Sequence, residues 1–296
     1  MSRTALALLN QPSADFAPHR AGDPAHRLVD PAVPQVSALD LSATRGDGIF
    51  ESISIAHGSP HALEPHLRRF VRSAALLDLP VPDVDAWRTA VLAVIGELDP
   101  VPEASVKIVL SRGIEGDVKP TGWVYGAPAP DHSAARTTGI RVITLDRGYR
   151  HDIESHAPWL LAGAKTLSYA VNRAALREAA RREADDVIFV SSDGIVLEGP
   201  TSTLVFRRGK SLGTPGTGLG ILEGTTQGDL FEWALTHGFT TGFELLTVDQ
   251  LLETDAAWLV SSGRHAAPIR SIDGHPHDVD VALTADFNAY LLSRTD

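Results

Sequence analysis

Residues 127–137 read Ala-Pro-Ala-Pro-Asp-His-Ser-Ala-Ala-Arg-Thr and carry no hydrophobic period. A stretch of that composition is a linker by its chemistry, since proline and small polar residues supply nothing to bury. It cuts the chain of 296 residues into parts covering 1–126 and 138–296. Two domains are also what that length suggests.

Both parts mix short strands with amphipathic helices. Around Ile49–Ile55 apolar and small polar residues alternate, the period of a half-buried strand. His57-Gly-Ser-Pro60 is turn chemistry. Leu67, Phe70, Val71, Ala74 and Leu77 share one helical face, and Pro80 stops that helix. Trp87, Val91, Val94, Ile95 and Leu98 predict a second helix, and Val106–Leu110 a strand that ends in Ser111-Arg-Gly113. Beyond the linker the pattern predicts strands at Ile140–Thr144, Val187–Val190, Ile195–Leu197, Leu204–Phe206 and Trp258–Val260. Ser191-Ser-Asp-Gly194 joins two of them as a hairpin. Helices are expected over about Leu167–Ala184, from Thr226, and over Ala282–Leu292. Residues 11–40 show no period and read as an irregular arm. Strands and helices do not alternate regularly, so the fold class is α+β.

Several functions are excluded early. There is no cysteine, hence no disulfide, thiolate metal site or cysteine nucleophile. A net charge of −11 argues against a basic nucleic-acid surface. The apolar run Ala5–Leu9 is too short for a secretory signal, and nothing approaches the ~20 residues of a membrane span. A cytoplasmic protein is expected. No helical His-x-x-x-His pair occurs, and His275-x-His277 sits in a polar turn, so no metal is expected. Gly209-Lys-Ser211 fails as a P-loop because position 204 is leucine. Gly216–Gly220 lacks the strand and acid of a dinucleotide fingerprint and reads as a loop.

Only four of the 26 basic residues are lysines: Lys107, Lys119, Lys165 and Lys210. Lys165 follows the mostly apolar Pro158-Trp-Leu-Leu-Ala-Gly-Ala164. Desolvation there would lower its pKa and make it a Schiff-base amine, while the bland reading is a lysine snorkelling to water. Glu198 closes the apolar Ile195-Val-Leu197 before Gly-Pro, as a turn residue or as a buried functional carboxylate. Thr225 and Thr226 open an amphipathic helix, as an anion cup or as a plain N-cap. Arg68 and Arg69 share a helix and have equal local claims to a role. Together an amine, a carboxylate, a helix-start cup and an arginine are the parts of a pyridoxal-phosphate site.

In this order and spacing the segments resemble fold-type IV pyridoxal-phosphate enzymes, the class IV aminotransferases. The resemblance runs from about Leu41 to Gly274. Arg45-Gly-Asp-Gly-Ile-Phe-Glu51 looks like the family's Gly-Asp-Gly-x-Phe/Tyr-Glu strand. His66-Leu-Arg-Arg-Phe70 resembles its phosphate-binding helix and selects Arg69. Lys165-Thr-Leu-Ser168, Glu198-Gly199, Leu222-Glu-Gly-Thr-Thr226 and Val260–Pro268 complete the set. The resemblance implies a small N-terminal α+β domain over 1–126 and a larger, β-rich, cofactor-binding domain over 138–296. It implies a homodimer and pyridoxal 5'-phosphate held on Lys165. Glu198 would face the ring nitrogen, Tyr169 the ring oxygen, and Arg69, Leu222, Thr225, Thr226 and Ser262 the phosphate region.

Three reactions compete by resemblance: branched-chain transamination, D-amino acid transamination, and lysis of 4-amino-4-deoxychorismate to p-aminobenzoate and pyruvate. Phe50 stands where D-amino acid aminotransferases have tyrosine, and no Arg-x-His follows Ser111-Arg-Gly113. Ser54 stands where branched-chain enzymes have arginine. Arg45-Gly-Asp-Gly, Ser-Arg-Gly and Lys-Thr-Leu-Ser-Tyr resemble most the actinobacterial aminodeoxychorismate lyases. The implied substrate is a small amine-bearing carboxylate, with Phe50, Ser52, Arg112 and Arg264 on its side and His265 nearby. The rival outside the class is a cofactor-free binding protein, for which Lys165 would have no use.

Overall fold

The computed structural model describes residues 3–16 and 22–294, which fall into two compact units. The first comprises residues up to Pro130 together with Ala164–Tyr169. Its strands are β1 (Ala5–Leu9), β2 (His26–Val29), β3 (Gly48–Ala56), β4 (Ser59–Pro60), β5 (Glu103–Ser111) and β6 (Thr121–Pro128). They form one antiparallel sheet in the order β2-β1-β6-β5-β3-β4. A helical turn, α1 (Leu41–Thr44), precedes β3; α2 (Leu63–Leu76) and α3 (Val84–Gly96) pack on the sheet.

Alternation along the strands sets the two faces. Ile49, Glu51, Ile53, Val106, Ile108, Leu110 and Val124 are buried with Leu67 and Phe70 of α2 and Trp87, Val91 and Val94 of α3. Phe50, Ser52 and Ser54 of β3, Lys107 of β5 and Trp123 and Tyr125 of β6 alternate with them on the opposite face. Asp83 starts α3 by accepting a hydrogen bond from the Ala86 amide.

Ala164–Tyr169 extends this sheet. Phe50 N–H donates to the Lys165 carbonyl (3.0 Å), Leu167 N–H donates to the Gly48 carbonyl (2.8 Å), and Ile49 bridges Thr166 antiparallel. The segment takes the first half of the β3 edge, and β4 takes the other, opposite Ile55 and Ala56. Approach is close because residue 48 is glycine. A β-carbon there would come within 2.6 Å of the Leu110 carbonyl and 2.7 Å of the Leu167 side chain.

The second unit, residues 131–163 and 170–294, holds α4 (Ser133–Thr138), β7 (Ile140–Asp146), α5 (Ile153–His156), α6 (Ala170–Arg181) and β8 (Asp186–Val190). It continues with β9 (Thr203–Arg208), β10 (Ser211–Pro215), α7 (Thr225–Thr236), β11 (Thr240–Glu244) and α8 (Val248–Leu252). It ends in β12 (Ala256–Ser261), β13 (His265–Ile272), β14 (His275–Pro276) and α9 (Val281–Ser293). The sheet order is β11-β10-β9-β12-β13-β7-β8, with β14 beside β13. Pairing is mixed: β10–β11, β13–β7 and β7–β8 are parallel. Unbroken apolar strands follow from burial on both faces. Val205, Trp258 and Val260 pack with Trp233 of α7 and Phe287 of α9, while Leu204, Phe206 and Leu259 pack with Leu246 and Leu251 on the other side.

The mixed α+β class is as expected, and several details differ. The linker stretch carries structure, the end of β6 and then α4. The arm over 11–40 contains β2, while its residues 17–21 lie outside the described part. The helix expected from Leu167 starts at Ala170, because pairing with β3 holds residues 165–167 extended. No helix among the described residues is long and apolar enough to cross a membrane.

Replacing Gly48 by alanine is expected to cost about 1–3 kcal/mol of stability and to loosen the Lys165 segment. Urea denaturation, with limited proteolysis around residues 159–169, checks this. An unchanged midpoint would contradict the close approach.

Candidate active site

In the first unit β3 sends Glu51 into the helix side of the sheet, where it has no exposed surface. Arg69 donates to it through Nε (2.7 Å to Oε1) and Nη2 (2.7 Å to Oε2), and His66 Nδ1 donates to Oε2 at 2.8 Å. His66, Arg69 and Ser73 lie on one buried face of α2, at helical spacing. Burial pushes the Glu51 carboxyl up, but the Arg69 charge and the hydrogen bonds outweigh it and hold it well below the usual carboxylate range. His66 is held below its ordinary value, first by burial and also by the Arg69 and Lys165 charges, against the pull of Glu51. It is therefore a neutral ring with its proton on Nδ1. Arg69, expected at a phosphate, has a guanidinium whose orientation Glu51 fixes.

Lys165 N–H donates to Ser73 Oγ at 3.2 Å, so the same helix face also seats the lysine backbone. The Lys165 ammonium lies 4.7 Å from the centre of the Phe50 ring, and Tyr169 meets that ring edge-on at 5.3 Å. The apolar residues before the lysine were expected to desolvate it. Two of them point outward instead, Trp159 at 74% and Leu160 at 52% exposure. Pairing with β3 and the Phe50 ring give the amine its surroundings.

Arg112, expected on the substrate side, clamps the first unit. Nε and Nη2 donate to Asp47 (2.7 and 3.3 Å), Nη2 to the Leu77 carbonyl (2.7 Å) and Nη1 to that of Asp78 (3.1 Å). It caps the C-terminus of α2 and ties it to the Arg45-Gly-Asp-Gly loop.

In the second unit Glu198 follows a hairpin in which Phe189 N–H donates to the Glu198 carbonyl (2.9 Å) and Leu197 N–H donates to the Phe189 carbonyl (2.8 Å). Leu222 N–H donates to Glu198 Oε1 at 3.2 Å, so the carboxylate is held by main chain and is not a mere turn residue. Helix α7 begins at Thr225. Its N-cap is Gly224, with no side-chain cap, so neither threonine is the N-cap. Glycine is required there because a β-carbon would meet Thr203 Oγ1 at 2.3 Å. Ser262 lies in the turn between β12 and β13. Arg264 Nη2 donates to the buried Asp186 (2.5 Å), and its carbonyl accepts from Arg136 Nε (3.0 Å). His265 is buried with φ 59°.

Sequence reasoning missed Ser202 and Thr203, reading Glu198-Gly-Pro-Thr-Ser-Thr for its carboxylate alone. Ser202 Oγ is buried with no hydrogen-bond partner among the described residues. Three hydroxyl side chains in a row were the available signal. A helix start without a side-chain cap, two threonines and this orphaned hydroxyl fit a phosphate. A main-chain-oriented carboxylate fits a protonated ring nitrogen.

Such chemistry, with an amine on the β3 edge, defines a pyridoxal-phosphate enzyme of fold type IV. The chain belongs to the class IV aminotransferases, whose family pattern matches residues 48–272. That family depends on pyridoxal phosphate. A bifunctional aminodeoxychorismate lyase/D-amino acid transaminase of Mycobacterium tuberculosis is 44% identical over 257 residues, 83% of this chain and 89% of the relative. A fold IV transaminase from Curtobacterium pusillum superposes with a TM-score of 0.94 at 52% identity, covering 99% of this chain and 100% of that one. A hypothetical aminotransferase from Mycobacterium tuberculosis in its PLP-bound form gives 0.86 at 39% identity, over 98% and 97% of the two chains.

The neutral His66 has a pH signature. Its folded value lies below the ordinary 6.5, so the unfolded chain binds the extra proton. Stability is full above pH 6.5 and falls as pH drops below it, toward the folded value. Glu51 works on a lower window, contributing above the ordinary carboxylate range and losing that contribution only in strong acid. Melting temperature between pH 7 and 5 should fall more steeply in the wild type than in His66→Gln. Parallel slopes would contradict the buried neutral ring.

Proposed function

We propose that this chain is a pyridoxal-phosphate enzyme that cleaves 4-amino-4-deoxychorismate to p-aminobenzoate and pyruvate. The observation that carries it is Lys165, presented on the β3 edge over Phe50, in a sequence whose 44%-identical relative is named for that lysis. The second name of that relative, with the transaminase from Curtobacterium pusillum, supports D-amino acid transamination as the alternative reading. A branched-chain substrate has less support, since Ser54 lacks the guanidinium.

When bound, the cofactor supplies a cationic ring that accepts the electron pair left as the amine-bearing carbon loses its proton. Lys165 is the residue that carries the group and afterwards moves that proton. Glu198 would keep a proton on the ring nitrogen, with Leu222 N–H holding one carboxylate oxygen in place. The α7 start with Thr225 and Thr226, along with Ser262 and Arg69, would bind phosphate. Tyr169 would serve the ring oxygen. Both reactions begin with the same proton removal; lysis continues by expelling the enolpyruvyl group as pyruvate. The same reading makes the protein a cytoplasmic homodimer.

The purified protein is expected to absorb near the visible edge, with a band that borohydride bleaches. Lys165→Ala should lose that band and about 10²–10⁴-fold of the rate. Incubation with aminodeoxychorismate should release pyruvate and p-aminobenzoate. Efficient D-amino acid transamination without lysis would leave the alternative. A Lys165→Ala protein that kept the borohydride-sensitive band would end both.

A further inference from the structure

The second unit carries a groove of about 440 Å³ at the end of α7 remote from Thr225. Its walls are the β9–β10 turn, the C-terminal end of α7 and the start of α9. Trp233 lies eight residues along α7 from Thr225, about 12 Å at the helical rise, so the groove is separate from the phosphate cup. Its volume is that of a small-molecule site.

Buried indoles normally find an acceptor for their N–H. Trp87 donates to the Pro12 carbonyl and Trp258 to Thr284 Oγ1, each at 2.8 Å. Trp233 is only 8% exposed, yet its N–H makes no hydrogen bond among the described residues. That nitrogen is not sealed from solvent, and the groove that Trp233 lines is where it opens. His237 stacks on the indole at 4.0 Å and Phe287 meets it edge-on, which fixes the ring.

The charges of the lining divide into used and unused. Arg207 is neutralised: it lies 3.4 Å from both Asp255 and Asp280, and it donates to the Gly209 carbonyl. Lys210 on the turn and Asp286 on α9 are exposed. Neither side chain makes an ion pair or hydrogen bond among the described residues, with the other or elsewhere. One cation and one anion thus line the groove from different walls, and Phe239 and Leu283 supply its apolar part.

We propose that this groove binds a free α-amino acid with an apolar side chain. The carboxylate takes Lys210 and the Trp233 N–H, the ammonium takes Asp286, and the side chain rests on Phe239 and Leu283. A simple anion would meet the like charge of Asp286, and a simple cation that of Lys210. The site does not depend on the reaction assigned to Lys165.

The test uses the full-length protein and three probes: L-phenylalanine, 3-phenylpropionate, which lacks the ammonium, and phenethylamine, which lacks the carboxylate. Binding is followed by NMR at the indole N–H resonance of Trp233, identified by its absence from Trp233→Phe, so that the readout belongs to the groove. Phenylalanine is expected to shift that resonance with a Kd of millimolar order. Each analogue should bind about fivefold more weakly. Lys210→Gln should bring phenylalanine to the level of phenethylamine, and Asp286→Asn to that of 3-phenylpropionate. Both variants exchange exposed side chains and should keep the melting temperature of the wild type. An unmoved Trp233 resonance, analogues that bind as well as phenylalanine, or a preference that survives in either variant overturns the proposal. Because the titration needs no turnover, failure of both lysis and transamination would discard the proposed reaction and leave this site standing.

Discussion

The rest of this structure depends on a piece of chain leaving one unit to complete the sheet of the other. Residues 164–169 lie between α5 and α6 in sequence, yet they pair with β3 and cluster with the first unit. Two main-chain hydrogen bonds, one antiparallel bridge and the absence of a side chain at Gly48 hold them there. Strand pairing of this kind fixes which way each side chain points, because a one-residue slip would exchange the faces. In the observed register Lys165 shares a face with Phe50 and Thr166 one with Ile49.

A second constraint supports the first from below. Glu51 is buried and ionised, and such a charge is tolerated only when its partners are arranged around it. Arg69 and His66 do this from one face of α2, and the next residue on that face, Ser73, accepts the Lys165 amide. The helix that orients the guanidinium thus also seats the backbone of Lys165. Removing one partner from such a buried pair typically costs about 3–5 kcal/mol, so the arrangement resists drift.

What could be read beforehand follows from what is local. The β3 strand, α2, α3, the 191–194 hairpin and α9 announce themselves by period or by turn chemistry, and each is present. Lys165, Glu198 and the α7 start stand out in the sequence because their residue types and spacing resemble those of a family. The errors came from partners distant in sequence. Leu167–Tyr169 looked helical because its pairing partner on β3 lies more than a hundred residues earlier. Arg112 and Arg264 looked available because Asp47 and Asp186, their tertiary partners, are 65 and 78 positions away. Gly224 displaced threonine as N-cap because Thr203 fills the space a side chain would need. Lys107 could be counted as scarce, but only the register with Ser52 gave it a face.

The borrowed segment also orders events during synthesis. Until residue 167 has left the ribosome, half of the β3 edge has no covering strand, although every other strand of that sheet is already made. A nascent first unit therefore waits with open amide and carbonyl groups, the kind of rim along which unfinished chains stick to one another. Closing it demands a contact spanning well over a hundred residues, a slow and entropically expensive loop. Lys165, the amine on which the proposed reaction rests, is thereby installed in the same event that seals the rim.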